Sequence, residues 1–240
     1  MGEKVSRIAA VADRFHNEGV MNKTCLVVGA QSDIFNGIRK MMEADHWVFY
    51  DAVNEISNTY PAPQMPKWDL MLITMGKVAP VGHWWDMLPV EFADCIHSNL
   101  VKPWEFLRLF WHWRSYNPTV IWFSGSNPQG IMDGYAPYNT AKMAVNKLIE
   151  QLDHETPDCK FVAFGPGYVR DSKIHRATLD KRWPNPRIAR GDAGTSMEQI
   201  YAALKWCIEQ PKAVVGGRNV AVSDVPFTAP TESQFKLRRA

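Results

Sequence analysis

From Thr24 onward, short apolar runs alternate with longer stretches in which apolar residues recur every three to four positions. The runs at Cys25–Val28, Trp47–Tyr50, Leu70–Thr74, Val120–Phe123, Phe161–Phe164 and Val220–Val222 predict buried strands. Helical periodicity covers Ile34–Ala44, Pro89–Ser115, Tyr138–His154 and Ser196–Gln210. Strands that alternate with helices imply βαβ units, and so an α/β domain with a mainly parallel, doubly wound sheet. The interval between Tyr50 and Asp69 breaks the rhythm: its 18 residues are rich in Pro, Asn and Ser. That is too little for helix, strand and helix, so the outer strand region after the second strand is expected to be shortened.

The ends read differently from the middle. Val5, Ile8, Ala9, Val11 and Ala12 make one stripe of a short helix that stops near Gly19. Residues 1–22 are therefore an accessory helix or an extension, residues 23–228 the domain, and residues 229–240 a tail. No internal repeat interrupts the domain.

Composition narrows the function classes. A chain of 240 residues with 46% apolar and 22% charged positions buries a sizeable core. Its net charge of +2 gives no general reason to expect nucleic acid or a membrane surface as partner. No apolar run approaches the ~18 residues of a bilayer span, and the N-terminal MGEKVSRIAAVADRFHNEG lacks an apolar secretory core. Cys25, Cys95, Cys159 and Cys207 lie far apart with no Cys-x-x-Cys spacing, so no metal site or disulfide framework is expected. A reduced, cytoplasmic setting follows by default. Trp84, Trp85 and Trp183 flank predicted loops, where they either wall a pocket or fill core and interface.

Three stretches carry chemistry. Leu26-Val27-Val28 runs into Gly29-Ala30-Gln31-Ser32-Asp33-Ile34-Phe35 and then a helix, so a turn at Gly29 would present free N–H groups to a pyrophosphate. Only one glycine of a three-glycine fingerprint is present, with Asp33 and Phe35 in the other places; a plain turn capped by Ser32 or Asp33 is the competing reading. Asp51 ends the second strand 22 positions after Gly29. A carboxylate there accepts hydrogen bonds from ribose hydroxyls and repels a 2′-phosphate, which favours NAD(H) and leaves NADP(H) open. Tyr138-Asn139-Thr140-Ala141-Lys142 opens a helix and sets a phenol and an ammonium one turn apart on one face. A free phenol titrates near ~10, and a neighbouring cation brings it closer to a working range. The alternative is an exposed helix pair of no chemical consequence.

Taken in order, the Gly29 turn, Asp69-Leu-Met-Leu-Ile-Thr-Met-Gly76, Ile96-His-Ser-Asn99-Leu, the Ser-rich strand end Phe123-Ser124-Gly125-Ser126, Tyr138 to Lys142 and Gly165-Pro166-Gly167 resemble the short-chain dehydrogenase/reductase family. The resemblance spans Thr24 to Asp224. It implies a single Rossmann-like domain and an oxidoreductase that interconverts a carbonyl and an alcohol on a small-molecule substrate. Tyr138 would be the general acid/base, Lys142 would bind the nicotinamide ribose and lower the phenol's pKa, and Asn99 would hold a water in the proton relay. A serine, either Ser124 or Ser126, would hydrogen-bond the substrate oxygen; the family's usual interval falls on Gly125 between them. Gly29, Gln31, Ser32, Asp33, Ile34, Asp51, Thr74, Met75, Gly76, Pro166, Gly167 and Val169 would line the cofactor with Tyr138 and Lys142. Thr74 and Met75 depart from the family's Asn-Ala-Gly segment, of which Gly76 is the last residue.

A loop at about 168–195 would cover the substrate. Its Arg170 and Arg176 are candidates for an anionic group, and Pro184 and Pro186 suggest an irregular lid with little regular helix. The apolar surface of Pro89–Ser115 and Tyr138–His154 suggests a homodimer or homotetramer. The rival class is a catalytically silent Rossmann-like protein with a binding or regulatory role, for which the eroded glycine turn speaks.

Overall fold

Six strands form one parallel sheet: β1 (Lys23–Val28), β2 (Trp47–Asp51), β3 (Trp68–Ile73), β4 (Arg114–Phe123), β5 (Lys160–Gly165) and β6 (Arg218–Ala221). This computed structural model describes residues 22–54, 66–125, 131–170, 172–177, 183 and 191–224. Across the sheet the strands lie in the order β2-β1-β3-β4-β5-β6. The chain thus winds one way from β1 to β2 and the other way from β3 onward. The crevice at that reversal, between the carboxyl ends of β1 and β3, is where a doubly wound sheet binds ligands.

Helices cover both faces, which is why the central strands are apolar without alternation. They are α1 (Asp33–Ala44), α2 (Pro89–Ile96), α3 (Lys102–Phe110), α4 (Ala136–Glu155), α5 (Lys173–Ala177), α6 (Met197–Glu209) and α7 (Lys212–Val215). On one face Phe35, Ile38, Ile200 and Leu204 pack on Cys25, Val27 and Leu72. On the other, Phe106, Phe110, Val145 and Ile149 pack on Leu26, Val28 and Met71. Burial of each such side chain contributes roughly 1.5–3 kcal/mol, so the sheet is held from both sides. Among the described residues, no helix is long and apolar enough to cross a membrane. All four cysteines are buried and unbridged.

The sheet bears out the α/β, doubly wound expectation, with two differences in the elements. The helix expected over Pro89–Ser115 is two helices joined by a wide turn at His97–Val101, and it ends at Phe110. Trp68 Nε1 donates to the Phe110 carbonyl (2.9 Å), and the Arg114 guanidinium lies over the Trp111 ring (4.1 Å). These contacts, with Pro118 forbidding helix just before it, send Arg114 and Ser115 into a longer β4. Second, β2 is the sheet edge among the described residues, and residues 52–54 turn helical straight after Asp51. The remainder of the shortened outer segment, the N-terminal stripe from Val5 to Ala12 and the tail at 229–240 lie outside the described residues.

Candidate active site

The corner after β3 is fastened first. Thr74 and Met75 donate their backbone N–H groups to the Val28 carbonyl (2.9 and 3.1 Å), and the Thr74 hydroxyl donates to the Gly29 carbonyl (2.8 Å). Gly29 has a positive φ of 99°, and a Cβ there would lie 2.7 Å from the Met75 nitrogen. Its glycine is therefore required by the approach of two strand ends, whatever else it binds. Gly76 is required by side chains instead: a Cβ would meet Asn99 Oδ1 at 2.7 Å and Lys142 Nζ at 3.3 Å.

Asn99 sits fully buried in the wide turn between α2 and α3. Its Nδ2 donates to the carbonyls of Lys77 (2.6 Å) and Cys95 (2.8 Å), while Oδ1 accepts from the Lys77 N–H (3.2 Å). Both amide hydrogens are used within the protein, so the side chain clamps the Gly76–Lys77 corner onto the middle helix. Its amide hydrogens are committed to backbone, which leaves Oδ1, with one further lone pair, as the side-chain atom that could meet a water.

Tyr138 and Lys142 occupy the first turns of α4, with Lys142 Nζ 5.5 Å from the centre of the tyrosine ring. Lys142 is 4% exposed and donates to the Phe123 carbonyl at the end of β4 (2.9 Å). Burial pushes the lysine down to about 8, and it pushes the Tyr138 phenol up to about 12, the buried Cys95 thiol adding to that rise. The lowering of the phenol's pKa expected from Lys142 is thus outweighed by the rise that burial causes. Desolvation dominates, and the ammonium is turned toward a backbone carbonyl.

Ser124 is buried at the same strand end, but its hydroxyl donates to Asn146 Oδ1 (2.7 Å) and reaches the Lys142 carbonyl (3.2 Å). It fastens β4 to α4 in this arrangement. The other serine considered, Ser126, lies outside the described residues. Gly125 between them accepts from Asn219 Nδ2 (3.1 Å).

The nucleotide side has a different character. Ser32 caps α1 by accepting from the Phe35 N–H (3.4 Å). Ile34 packs at the edge of the core, and Phe35 fills it, edge-on to Phe49 at 5.2 Å. The bulky residue at the third glycine position is therefore accommodated between α1 and β2. Asp33 Oδ2 accepts from the Lys173 N–H (2.6 Å) and lies 3.9 Å from the Arg176 guanidinium, and the Lys173 ammonium donates to the Gln31 carbonyl (3.1 Å). Asp51 accepts from the Val53 N–H (3.0 Å) and from Asn54 Nδ2 (2.9 Å), so both its oxygens cap the turn that follows.

Beyond β5, Pro166 leads to Gly167, whose φ of 82° and proximity to Thr195 (2.2 Å from a Cβ to Oγ1) exclude any side chain. Val169 is buried, and Arg170 donates to the Asp192 carbonyl (3.2 Å). Among its described residues the expected irregular lid has one short helix, α5; Pro184 and Pro186 lie outside the described residues. Thr195 and His83 carried no sequence signal. Thr195 closes over Gly167 from the far end of the lid, and His83 joins two of the loop tryptophans named from the sequence, stacking on Trp85 (4.2 Å) and meeting Trp183 edge-on (4.4 Å). The Tyr135 hydroxyl donates to the Trp183 carbonyl (3.1 Å), which sets this aromatic group one turn before Tyr138.

Asn99, Gly76, Lys142 and Tyr138 therefore converge, with Ser124 beside them but facing α4. Gln31, Ser32, Asp33, Thr74 and Met75 gather at the neighbouring turn. Among the described residues, no group of three or more His, Cys, Asp or Glu is placed to hold a metal.

This arrangement is the fold of the short-chain dehydrogenases and reductases. Solved structures with the same fold include a small-chain dehydrogenase in complex with NADPH, which shares 14% identity, a TM-score of 0.71, 84% of this chain and 96% of its own. The aldohexose dehydrogenase of Thermoplasma acidophilum shares 14% identity at a TM-score of 0.69, over 88% of this chain and 98% of its own. A short-chain type dehydrogenase/reductase from Mycobacterium ulcerans shares 13% identity at 0.67, over 85% and 90%. No family model and no curated protein sequence matches the chain.

Proposed function

We propose that the protein is a nicotinamide-dependent oxidoreductase that interconverts a carbonyl and an alcohol, with Tyr138 as the proton-handling group. The observation that carries this reading is the convergence of Lys142 and Asn99 on Gly76, with the Tyr138 ring beside the Lys142 ammonium, at the crevice where the sheet reverses its winding. A bound nicotinamide dinucleotide would supply hydride exchange at the substrate carbon. The residues fit such a group: Gly29 and Gly76 keep side chains out of the crevice floor, and Lys142 presents a buried ammonium beside it. Among the described residues of the turn, Asp33 opposes the phosphates.

Tyr138 is a neutral phenol at neutral pH, the form that carries the proton a carbonyl oxygen takes in reduction, and the positive charge of Lys142 would have to offset the upward push of desolvation. Lys142 would lend positive charge once drawn away from the Phe123 carbonyl. Asn99 holds the corner in place without touching substrate. Arg170 and Arg176 on the lid favour an anionic carbonyl compound as substrate.

For the cofactor, the NAD(H) preference read from Asp51 loses its support. Both carboxylate oxygens are occupied in capping, and the similar fold described above holds NADPH. NADP(H) is the favoured form in this proposal. Val90, Phe92 and Trp104 on α2 and α3 are exposed apolar side chains, which supports a homodimer. Light scattering should give a mass near twice the monomer's 27.3 kDa, and a monomer at micromolar concentration would remove that part.

The silent-protein reading keeps one observation in its favour, the engagement of the Ser124 hydroxyl with α4. A melting panel separates the two. A dinucleotide at 100 times its Kd should add about 2.7 kcal/mol of stability, more readily with NADPH than NADH. A Tyr138→Phe protein should bind as well yet lose turnover of a carbonyl compound by about 10²–10⁴-fold. Binding without any turnover in wild type, over a broad carbonyl panel, would favour the silent reading.

A further inference from the structure

The turn that would receive a pyrophosphate is already closed by the chain's own charges. Asp33 stands at the start of α1, where the free N–H groups of that helix face the crevice. Its carboxylate holds the Lys173 N–H at 2.6 Å and faces the Arg176 guanidinium at 3.9 Å, 140 or more residues away along the chain. Lys173 adds a second tie, its ammonium donating to the Gln31 carbonyl (3.1 Å). Thus α5 spans from the lid to the phosphate turn and is fixed at both ends. On the lid side Ser172 donates to the Val169 carbonyl (2.9 Å) and accepts from the His175 N–H (3.0 Å), and the Tyr168 hydroxyl meets His175 Nε2 (2.7 Å).

We infer that α5 is a strap closed over the cofactor crevice, with Asp33 as an internal stand-in for a phosphate. A dinucleotide would enter by exchange at this tie: the Arg176 guanidinium would turn from the Asp33 carboxylate, and the Lys173 ammonium from the Gln31 carbonyl, to its pyrophosphate. This rests on the nicotinamide-binding function proposed above and adds to it how binding and lid position are coupled. A carboxylate at a helix N-terminus is favourable while the crevice is empty, and becomes a like charge beside the pyrophosphate when it is filled. The two lid cations are attracted to an anion in either state, so the anion that holds them decides where the strap lies. Arg176 is suited to this exchange because its planar fork binds carboxylate and phosphate oxygens alike.

The test uses the full chain, NADPH and NADH titrations followed by fluorescence, and hydrogen exchange across residues 172–177. Asp33→Asn keeps the size and removes the charge. It should tighten both dinucleotides by about tenfold, since a like charge near the pyrophosphate is gone, and should speed exchange in the strap without ligand. A Lys173→Met, Arg176→Gln protein should also loosen the strap but weaken dinucleotide binding at least about threefold, the opposite sign, which separates exchange from simple loosening. The inference is overturned if wild type binds dinucleotide and Asp33→Asn binds it no better, or if strap exchange is the same in both. If no variant binds either dinucleotide, the proposed function falls and this inference with it.

Discussion

The two sides of the crevice are built in contrasting ways. On the Tyr138 side, buried groups are tied down by neutral acceptors: Asn99 to the Lys77 and Cys95 carbonyls, Lys142 to the Phe123 carbonyl, Ser124 to the Asn146 side chain. On the Gly29 side, the contacts are charged, partly exposed and made by a lid: Asp33 with Lys173 and Arg176. The first arrangement fixes a geometry, while the second allows one anion to replace another. An enzyme needs the proton-handling corner preorganised and the phosphate turn exchangeable, so the erosion of the glycine fingerprint does not by itself argue for a silent protein.

That contrast breaks most visibly at Asn99. In Asn99→Leu the Lys77 N–H and C=O lose their partner in a part-buried corner, at up to about 1–3 kcal/mol for each group left unsatisfied. The melting temperature should drop by about 10 °C, at roughly 2–4 °C per kcal/mol for a domain of this size. The Asp33→Asn protein should melt within a few degrees of wild type. Equal losses at the two positions, measured by thermal denaturation, would erase the distinction between a rigid and an exchangeable side.

A smaller effect sharpens the comparison through pH. Lys142 titrates at about 8 in the fold against an ordinary 10.5, because burial disfavours its charge. Between those values the unfolded chain holds a proton that the folded chain has lost, so stability rises with pH. The full effect is roughly 3 kcal/mol, at about 1.4 per pH unit. Tyr138 acts in the opposite sense only above pH 10, where its raised pKa makes stability fall. Denaturant titrations from pH 7 to 10 should show the gain in wild type and its absence in Lys142→Met. A parallel pH dependence in the two proteins would mean that Lys142 is not desolvated as its burial implies.

Much of this was legible in the sequence. The strands announced themselves because a parallel sheet covered on both faces leaves continuous apolar runs, and β1, β3 and β5 are buried along most of their lengths. Tyr138 and Lys142 were readable because a helix fixes the spacing of four. Asn99 was placed correctly, yet its bonds to Lys77 depend on a wide turn that no local pattern marks. For Ser124 a strand end specifies a position and not a direction, so its bond to Asn146 on α4 could not be read from the sequence. The ties from Asp33 to Lys173 and Arg176 were hidden for a related reason. Charges distant along the chain meet only once the lid has packed, and the Asp51 carboxylate is drawn into a cap by residues just beyond it.

The central claim is that the half-buried Tyr138 phenol handles the proton of a carbonyl–alcohol interconversion. Its most direct test is the rate at which wild type and Tyr138→Phe oxidise NADPH in the presence of a panel of carbonyl compounds, including anionic ones, with NADPH affinity measured alongside. The account predicts turnover of at least one compound by wild type and a fall of about 10²–10⁴-fold in the variant at nearly unchanged affinity. A Tyr138→Phe protein that keeps more than about half of the wild-type rate would contradict it, because a phenylalanine ring has no proton to give.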